Sequence, residues 1–202
     1  MPTLDELRAR MRALAQEAEA EVERRRAAFR YRIEKGRVVF DEAARRRHRE
    51  LRVNLLVFLR ATRPMVLVTA PFIYALIIPF ILLDLFVWVY QAVCFPVYKI
   101  PKVARGDHIR IDRQHLAYLN GLQKLNCMYC GYCNGVIAWV REVAGRTEAY
   151  WCPIKHAAKV KGMHGHYPGF VDYGDGEGFA DGLAASRNRI RHPKTGEEPD
   201  AF

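Results

Sequence analysis

Residues 64–98 read PMVLVTAPFIYALIIPFILLDLFVWVYQAVCFPVY, and Asp84 is the only charged side chain in this stretch. Hydrocarbon offers no hydrogen-bond partner to a peptide group, so a stretch this apolar is typical of a helix that enters a membrane. A fully helical stretch would measure roughly 52 Å, more than one crossing of a ~30 Å core, whereas two crossings need ~40 residues and a turn. The stretch therefore predicts a membrane-inserted segment.

Basic side chains flank this segment on both sides. Arginines are concentrated over residues 45–63 before it, and lysines and arginines over residues 99–113 after it. The positive-inside rule places both flanks in the cytoplasm. Pro79 removes a helical hydrogen bond near the middle and predicts a break. We therefore expect a broken helix or a re-entrant helical hairpin, in preference to a single tilted span or a buried soluble hairpin.

Asp84 is a candidate membrane site. A carboxylate in hydrocarbon costs free energy, so it is expected to face protein, water or the interface. Its position near the middle of an apolar stretch makes a functional role one hypothesis and a solvated or capped carboxylate the other.

The formal net charge of +10 is concentrated beside the apolar segment rather than in an aromatic-interleaved basic patch. Residues 1–63 alone carry 17 basic and 10 acidic side chains. Basic residues near a bilayer bind anionic headgroups, which explains the excess without nucleic acid. The N-terminus lacks the apolar core of a secretory signal, so the soluble parts are expected to face the cytoplasm.

The N-terminal stretch carries an apolar stripe at helical spacing from Leu4 to Ala18, surrounded by arginine and glutamate. Such a stripe is typical of a docking helix or a short coiled coil. It predicts a protein partner or self-association through this helix.

The strongest chemical signal is a group of four cysteines in NCMYCGYCNG (126–135) and YWCPIKHA (150–157). Cys127, Cys130 and Cys133 follow C-x2-C spacing, which suits thiolates held on a tight turn around one ion. A helix over residues 136–148 is expected to return the chain to Cys152. Cysteines in a reducing compartment serve as thiols or metal ligands more often than as disulfides.

Two ligand sets fit this Cys-rich module. Three thiolates and one imidazole would bind zinc, and four thiolates would hold an iron–sulfur cluster. The first set is Cys127, Cys130, Cys152 and His156; the second is Cys127, Cys130, Cys133 and Cys152. The second resembles half of a bacterial ferredoxin, where C-x2-C-x2-C combines with a remote Cys-Pro, here Cys152-Pro153. The resemblance covers only those residues and implies an iron–sulfur cluster.

The fold class expected is mainly α: a membrane-inserted segment followed by a small Cys-rich helical metal-binding module. The predicted regions are a basic helical arm and surface helix (1–63), the inserted segment (64–98), the cytosolic module (99–170) and a flexible tail (171–202). A second ion bound by His164, His166 and the acidic residues of 172–177 is less favoured than a plain loop.

A centre with four protein ligands has no open coordination position, so it is structural or transfers electrons. The sequence thus favours a non-enzymatic accessory, assembly or electron-transfer protein attached to a membrane. The alternative is a membrane-bound enzyme acting on a lipid or quinone-like substrate.

Overall fold

The computed structural model describes residues 4–34 and 37–193, and helices dominate this part of the chain. The mainly α class is therefore confirmed. The α-helices are α1 (Leu4–Ala28), α2 (Glu42–Glu50), α3 (Leu55–Ala61), α4 (Pro64–Ala75), α5 (Ile77–Tyr98), α6 (Arg105–His108), α7 (Gly121–Trp151) and α8 (Phe179–Arg191). Two strands, β1 (Tyr31–Glu34) and β2 (Arg37–Phe40), and 3-10 helices over Arg113–His115 and Tyr167–Gly169 complete the described elements.

The chain divides into two compact units. One comprises Met1–Arg63 with Asp112–Met128, and the other comprises Pro64–Ile111 with Tyr129–Phe202. The division at Pro64 coincides with the start of the apolar stretch.

The first unit contains an antiparallel hairpin of β1 and β2, in which Tyr31 lies opposite Phe40. The Phe40 ring packs edge-on against His48 with a centroid separation of 5.1 Å. His48 in turn packs edge-on against Tyr118 at 5.2 Å. Such edge-to-face contacts between rings stabilise small units beyond the area that they bury.

In the second unit, α4 and α5 are separated only by Leu76, whose backbone keeps helical angles (φ −62°, ψ −14°). Pro79 explains the break, because it has no N–H and its ring clashes with the carbonyl of the residue four positions earlier, Ala75. At the same place, the N–H of Leu76 bonds to the carbonyl of Ile73, three residues earlier, at 3.2 Å. The break expected from Pro79 is thus present.

Residues 64–98 form one interrupted helical segment rather than a hairpin. By length and composition, this segment is able to cross a membrane; its most apolar 18-residue window has a mean hydropathy of 2.5 and is 0% buried. The re-entrant hairpin expected from the sequence is not formed, because Leu76 continues the helical direction instead of reversing it.

Helix α5 has two different faces. Phe95 is fully buried, and the buried Gln91 bonds through both ends of its amide to the backbone of Val103. Phe86 and Val97 are 70% and 72% exposed. At 100° per residue, these two side chains point away from Gln91 and Phe95. We call the side of α5 that bears Gln91 and Phe95 the inner face, and the side that bears Phe86 and Val97 the outer face.

The core of the second unit forms where the inner face of α5 meets α7 and the chain segments around it. Trp139 of α7 is its largest fully buried side chain. The core residues are Phe95, Ile100, Val103, Trp139, Val143, Ala149, Phe170 and Ile190.

Helix α7 is continuous through the cysteine motif, which corrects the tight turn expected there. Gly135 of this motif supports close packing. A Cβ atom on Gly135 would lie 2.7 Å from the Cα atom of Ile109, so only glycine allows this approach. The motif is therefore part of a helix that packs closely at Gly135.

The C-terminal region expected to be a flexible tail contains α8, which docks on the end of α7. The hydroxyl of Ser186 donates to the carbonyl of Ala149 at 2.7 Å, and Ile190 enters the core. Ser186 and Ile190 are four residues apart and so lie on one side of α8. Residues 194–202 lie outside the described part of the chain.

Candidate functional site

Asp84, the acidic residue of the apolar segment, is held in a polar cluster with α6 and α7. Arg105 donates from Nε to Oδ1 at 2.9 Å and from Nη2 to Oδ2 at 2.5 Å. Tyr132 of α7 donates from its hydroxyl to Oδ2 at 2.9 Å. The Asp84 side chain is only 13% exposed, so it faces protein.

The chemistry of this cluster is that of a fixed ion pair. The hydrogen bond to Asp84 raises the pKa of Arg105, while burial raises the pKa of Tyr132. Both groups therefore keep their protons, and both carboxylate oxygens of Asp84 accept a charge-assisted hydrogen bond. This arrangement positions three helices and leaves no free base.

A second polar cluster lies further along α7. Glu142, with only 3% of its side chain exposed, accepts hydrogen bonds through Oε1 from Arg146 at 2.6 Å and from His166 at 3.0 Å. Burial alone raises the pKa of Glu142, but the hydrogen bonds from His166 and Arg146 outweigh it and lower the pKa to about 2. Arg146 also donates to the carbonyl of Pro101 at 2.8 Å. A buried carboxylate is thus kept ionised by two partners.

His164 forms a related pair with Glu148, with 2.8 Å between Nε2 and Oε2. Its ring lies against Gly145, where a Cβ atom would come 2.7 Å from Cγ. The rings of His164 and His166 are 5.7 Å apart. Through their bonds to Glu148 and Glu142, the two histidines hold the loop that follows α7 against that helix.

Sequence reasoning missed the glutamates as partners of these histidines. Glu142 and Glu148 are six residues apart on α7, and the HGH motif supplies two imidazoles two residues apart. Two glutamates on one predicted helix and two histidines in the following loop were the sequence signal that could have predicted these pairs. In the residues that the structure describes, no three His, Cys, Asp or Glu side chains are grouped so as to hold an ion.

The predicted ligands of the cysteine centre are distributed along and beyond α7. Cys127, Cys130 and Cys133 lie within the helix, and Cys152 follows its last residue. Helical rise separates Cys133 from the end of α7 by about 27 Å. The structure therefore does not bring Cys133 and Cys152 together.

The thiols and the imidazole also differ in their environments. Cys133 is buried, and burial raises the pKa of its thiol. Cys130 and Cys152 are exposed, and Cys127 is half-buried. His156 stacks on Tyr167 with centroids 6.1 Å apart, and its backbone N–H donates to the Tyr167 hydroxyl at 2.8 Å.

An open groove of about 490 Å³ runs between α5 and α7. Its walls are mainly apolar, and Glu148 and Cys152 contribute polar groups. The lining residues are Val87, Tyr90, Val140, Val143, Ala144, Thr147, Glu148, Trp151 and Cys152. Such a groove suits an elongated apolar molecule better than a charged one.

The chain was compared with known proteins at the level of families, curated sequences and solved structures. No family model, no curated protein and no solved structure matches it.

Proposed function

We propose that this protein is a membrane-attached accessory protein, held at a lipid surface by α4 and α5. The observation that carries the proposal is the exposure of large apolar side chains along both helices. Phe72, Phe86 and Val97 are 76%, 70% and 72% exposed. Removing one such side chain from water contributes about 2 kcal/mol, so a row of them favours hydrocarbon strongly.

Charge supports the same attachment. Arg60 and Arg63 precede the apolar segment, and Lys99 and Lys102 follow it. Each basic residue near an anionic leaflet contributes about 1 kcal/mol. Basic side chains at both ends of an apolar segment are what a cytoplasmic lipid surface attracts.

The accessory role is favoured over catalysis because the buried carboxylates are engaged in structure. Asp84 pairs with Arg105 and Tyr132, and Glu142 pairs with Arg146 and His166. A protein partner or a second copy would dock through α1, where the apolar side chains of Met11 and Leu14 are 59% and 64% exposed.

The zinc or iron–sulfur centre stays a prediction within this proposal. A centre that used both Cys133 and Cys152 of one chain would require α7 to break, because about 27 Å of helix separates them. Elemental analysis and optical spectra of anaerobically prepared protein test it directly. Brown protein bleached by dithionite supports electron transfer, and one zinc per chain supports a structural centre.

The groove between α5 and α7 favours a second candidate function, an enzyme that acts on a lipid or quinone-like substrate. Glu148 and Cys152 would then face an apolar molecule held along Val87 and Val140. Saturable binding of a labelled lipid, lost when Val140 is replaced by tryptophan, supports this candidate.

Vesicle flotation tests the attachment. The wild-type chain is expected to float with anionic vesicles, and high salt alone should not release it. The triple variant Phe72→Glu, Phe86→Glu, Val97→Glu should bind at least about 100-fold more weakly, since charged side chains resist transfer to hydrocarbon. The double variant Val160→Glu, Tyr173→Glu, at exposed positions outside α4 and α5, is the control for added negative charge, and it is expected to float like the wild type. Wild-type protein that stays with the aqueous fraction would refute the proposal.

A further inference from the structure

Helix α7 accompanies the apolar segment over most of its length. Near the start of α5, the Tyr129 hydroxyl donates to the carbonyl of Ile73 at 2.6 Å. At the other end, Tyr98 stacks on Tyr150 with ring centroids 5.0 Å apart. The stretch from Ile73 to Tyr98 spans about 37 Å at helical rise, which exceeds the ~30 Å hydrocarbon core.

Contacts between these two ends show that the two helices stay side by side. Tyr132 bonds to Asp84, and the Tyr90 hydroxyl lies 2.9 Å from the Thr147 hydroxyl. Successive contacts advance along both helices in the same direction, so α5 and α7 run parallel.

Helix α7 is too polar to enter hydrocarbon beside α5. It carries Arg141, Glu142, Arg146 and Glu148. It is also covered by the polar loop that bears His164 and His166. Charged side chains in a bilayer core are strongly disfavoured. If α5 crossed the bilayer along the membrane normal, these charged groups of α7 would lie in the hydrocarbon core beside it.

The two faces of α5 allow the helix to contact lipid without placing the charged side chains of α7 in hydrocarbon. Phe86, Val93 and Val97 lie on the outer face and are 70%, 62% and 72% exposed. Helical geometry places them opposite Asp84 and Phe95 of the inner face. The outer face is therefore available to lipid, whereas Asp84, Gln91 and Phe95 on the inner face contact protein.

We propose that the apolar segment lies in the plane of the membrane, inserted in one leaflet by its outer face, and does not cross the bilayer. The proposal rests on the proposed membrane attachment and specifies its geometry. The lipid partner is an anionic leaflet, because Arg63 and Lys99 at the two ends of the segment then reach headgroups on the same side. In-plane helices of this kind bury their apolar face about 5–10 Å into the headgroup and acyl boundary.

Depth measurement by electron paramagnetic resonance distinguishes the geometries. A spin label is attached through p-acetylphenylalanine at position 72, 86 or 97 of the full chain, which leaves the native cysteines unchanged. The chain is bound to anionic vesicles, and accessibility to oxygen and to a water-soluble nickel complex gives the depth of each label. A label at Gly176 in an exposed loop is the aqueous control.

The proposal expects similar depths at positions 72, 86 and 97, within about 5 Å of one another. An upright span instead separates position 86 from positions 72 and 97 by about 21 Å and 17 Å along the membrane normal, so the three labels cannot share one depth. That profile would overturn the in-plane geometry and keep the membrane attachment. Three labels as accessible to nickel as the control would overturn both.

Discussion

Tyr132 of α7 donates a hydrogen bond to Oδ2 of Asp84, and the oxygen–oxygen distance is 2.9 Å. The acidic group of the apolar segment is thus fixed to the polar helix beside it. Arg105 completes the contact through both carboxylate oxygens. The cluster joins α5, α6 and α7 at one point.

Replacing Asp84 by alanine is expected to lower the free energy of unfolding by about 1–2 kcal/mol, because Arg105 and Tyr132 lose their acceptor. Thermal unfolding in detergent micelles measures the loss. Asp107→Ala removes an exposed carboxylate next to the cluster and should have little effect. A double-mutant cycle of Asp84→Ala with Tyr132→Phe that shows simple additivity would contradict direct coupling.

Glu142 should make folding sensitive to acid. Its folded pKa is lowered to about 2 from 4.5, so its contribution is complete above about pH 4.5 and is lost as pH falls toward 2. The full contribution amounts to about 3 kcal/mol. Chemical denaturation between pH 6 and 3 measures the larger part of this loss.

The variant Glu142→Gln should be less stable at pH 6 and should lose less stability on acidification than the wild type. Glu177→Gln, at an exposed position, should retain the wild-type pH dependence. Parallel stability curves for Glu142→Gln and the wild type would show that Glu142 is not the group responsible.

Gly145→Ala tests the contact between α7 and the loop after it. The new Cβ atom would meet His164 at 2.7 Å, so we expect a destabilisation of about 1–3 kcal/mol. Gly121→Ala, on the same helix, has no atom within 4 Å of its new Cβ and should be neutral or slightly stabilising. The melting temperatures of the two variants give the comparison, and equal shifts would contradict the described contact.

Thiol labelling tests the placement of the cysteines. Cys130 and Cys152 should react rapidly with a maleimide in the folded protein, whereas the buried Cys133 should react only after unfolding. Peptide mass spectrometry after timed labelling reads out each site. Protection of Cys130 and Cys152 that a chelator removes would instead reveal a shared metal and contradict the described arrangement.

The apolar segment was predictable because its signal is local. A run of 35 residues with Asp84 as its one charge is helical in any apolar surroundings, and Pro79 locates the break to within one turn. The hairpin was wrong because a proline interrupts hydrogen bonding without fixing the direction in which the chain continues.

The contacts of α7 were not predictable, since they depend on residues distant in sequence. Gly135 gives turn freedom in isolation, but it allows close packing once Ile109 is beside it. Ser186 and Ile190 lie in a stretch with weak hydrophobic periodicity. Helix α8 is stabilised by the contacts of Ser186 with Ala149 and of Ile190 with the core. His166 gains its role only through the partner Glu142, 24 residues away.

Trp139 is completely buried, and its indole Nε1–H points to the carbonyl of Val103 at 3.4 Å. Trp88 and Trp151 are 56% and 51% exposed. The native fluorescence therefore combines one shielded emitter with two that respond to solvent. Collisional quenching by iodide or by brominated acyl chains separates these signals, so the unmodified chain carries its own optical reporters of core integrity and of lipid contact.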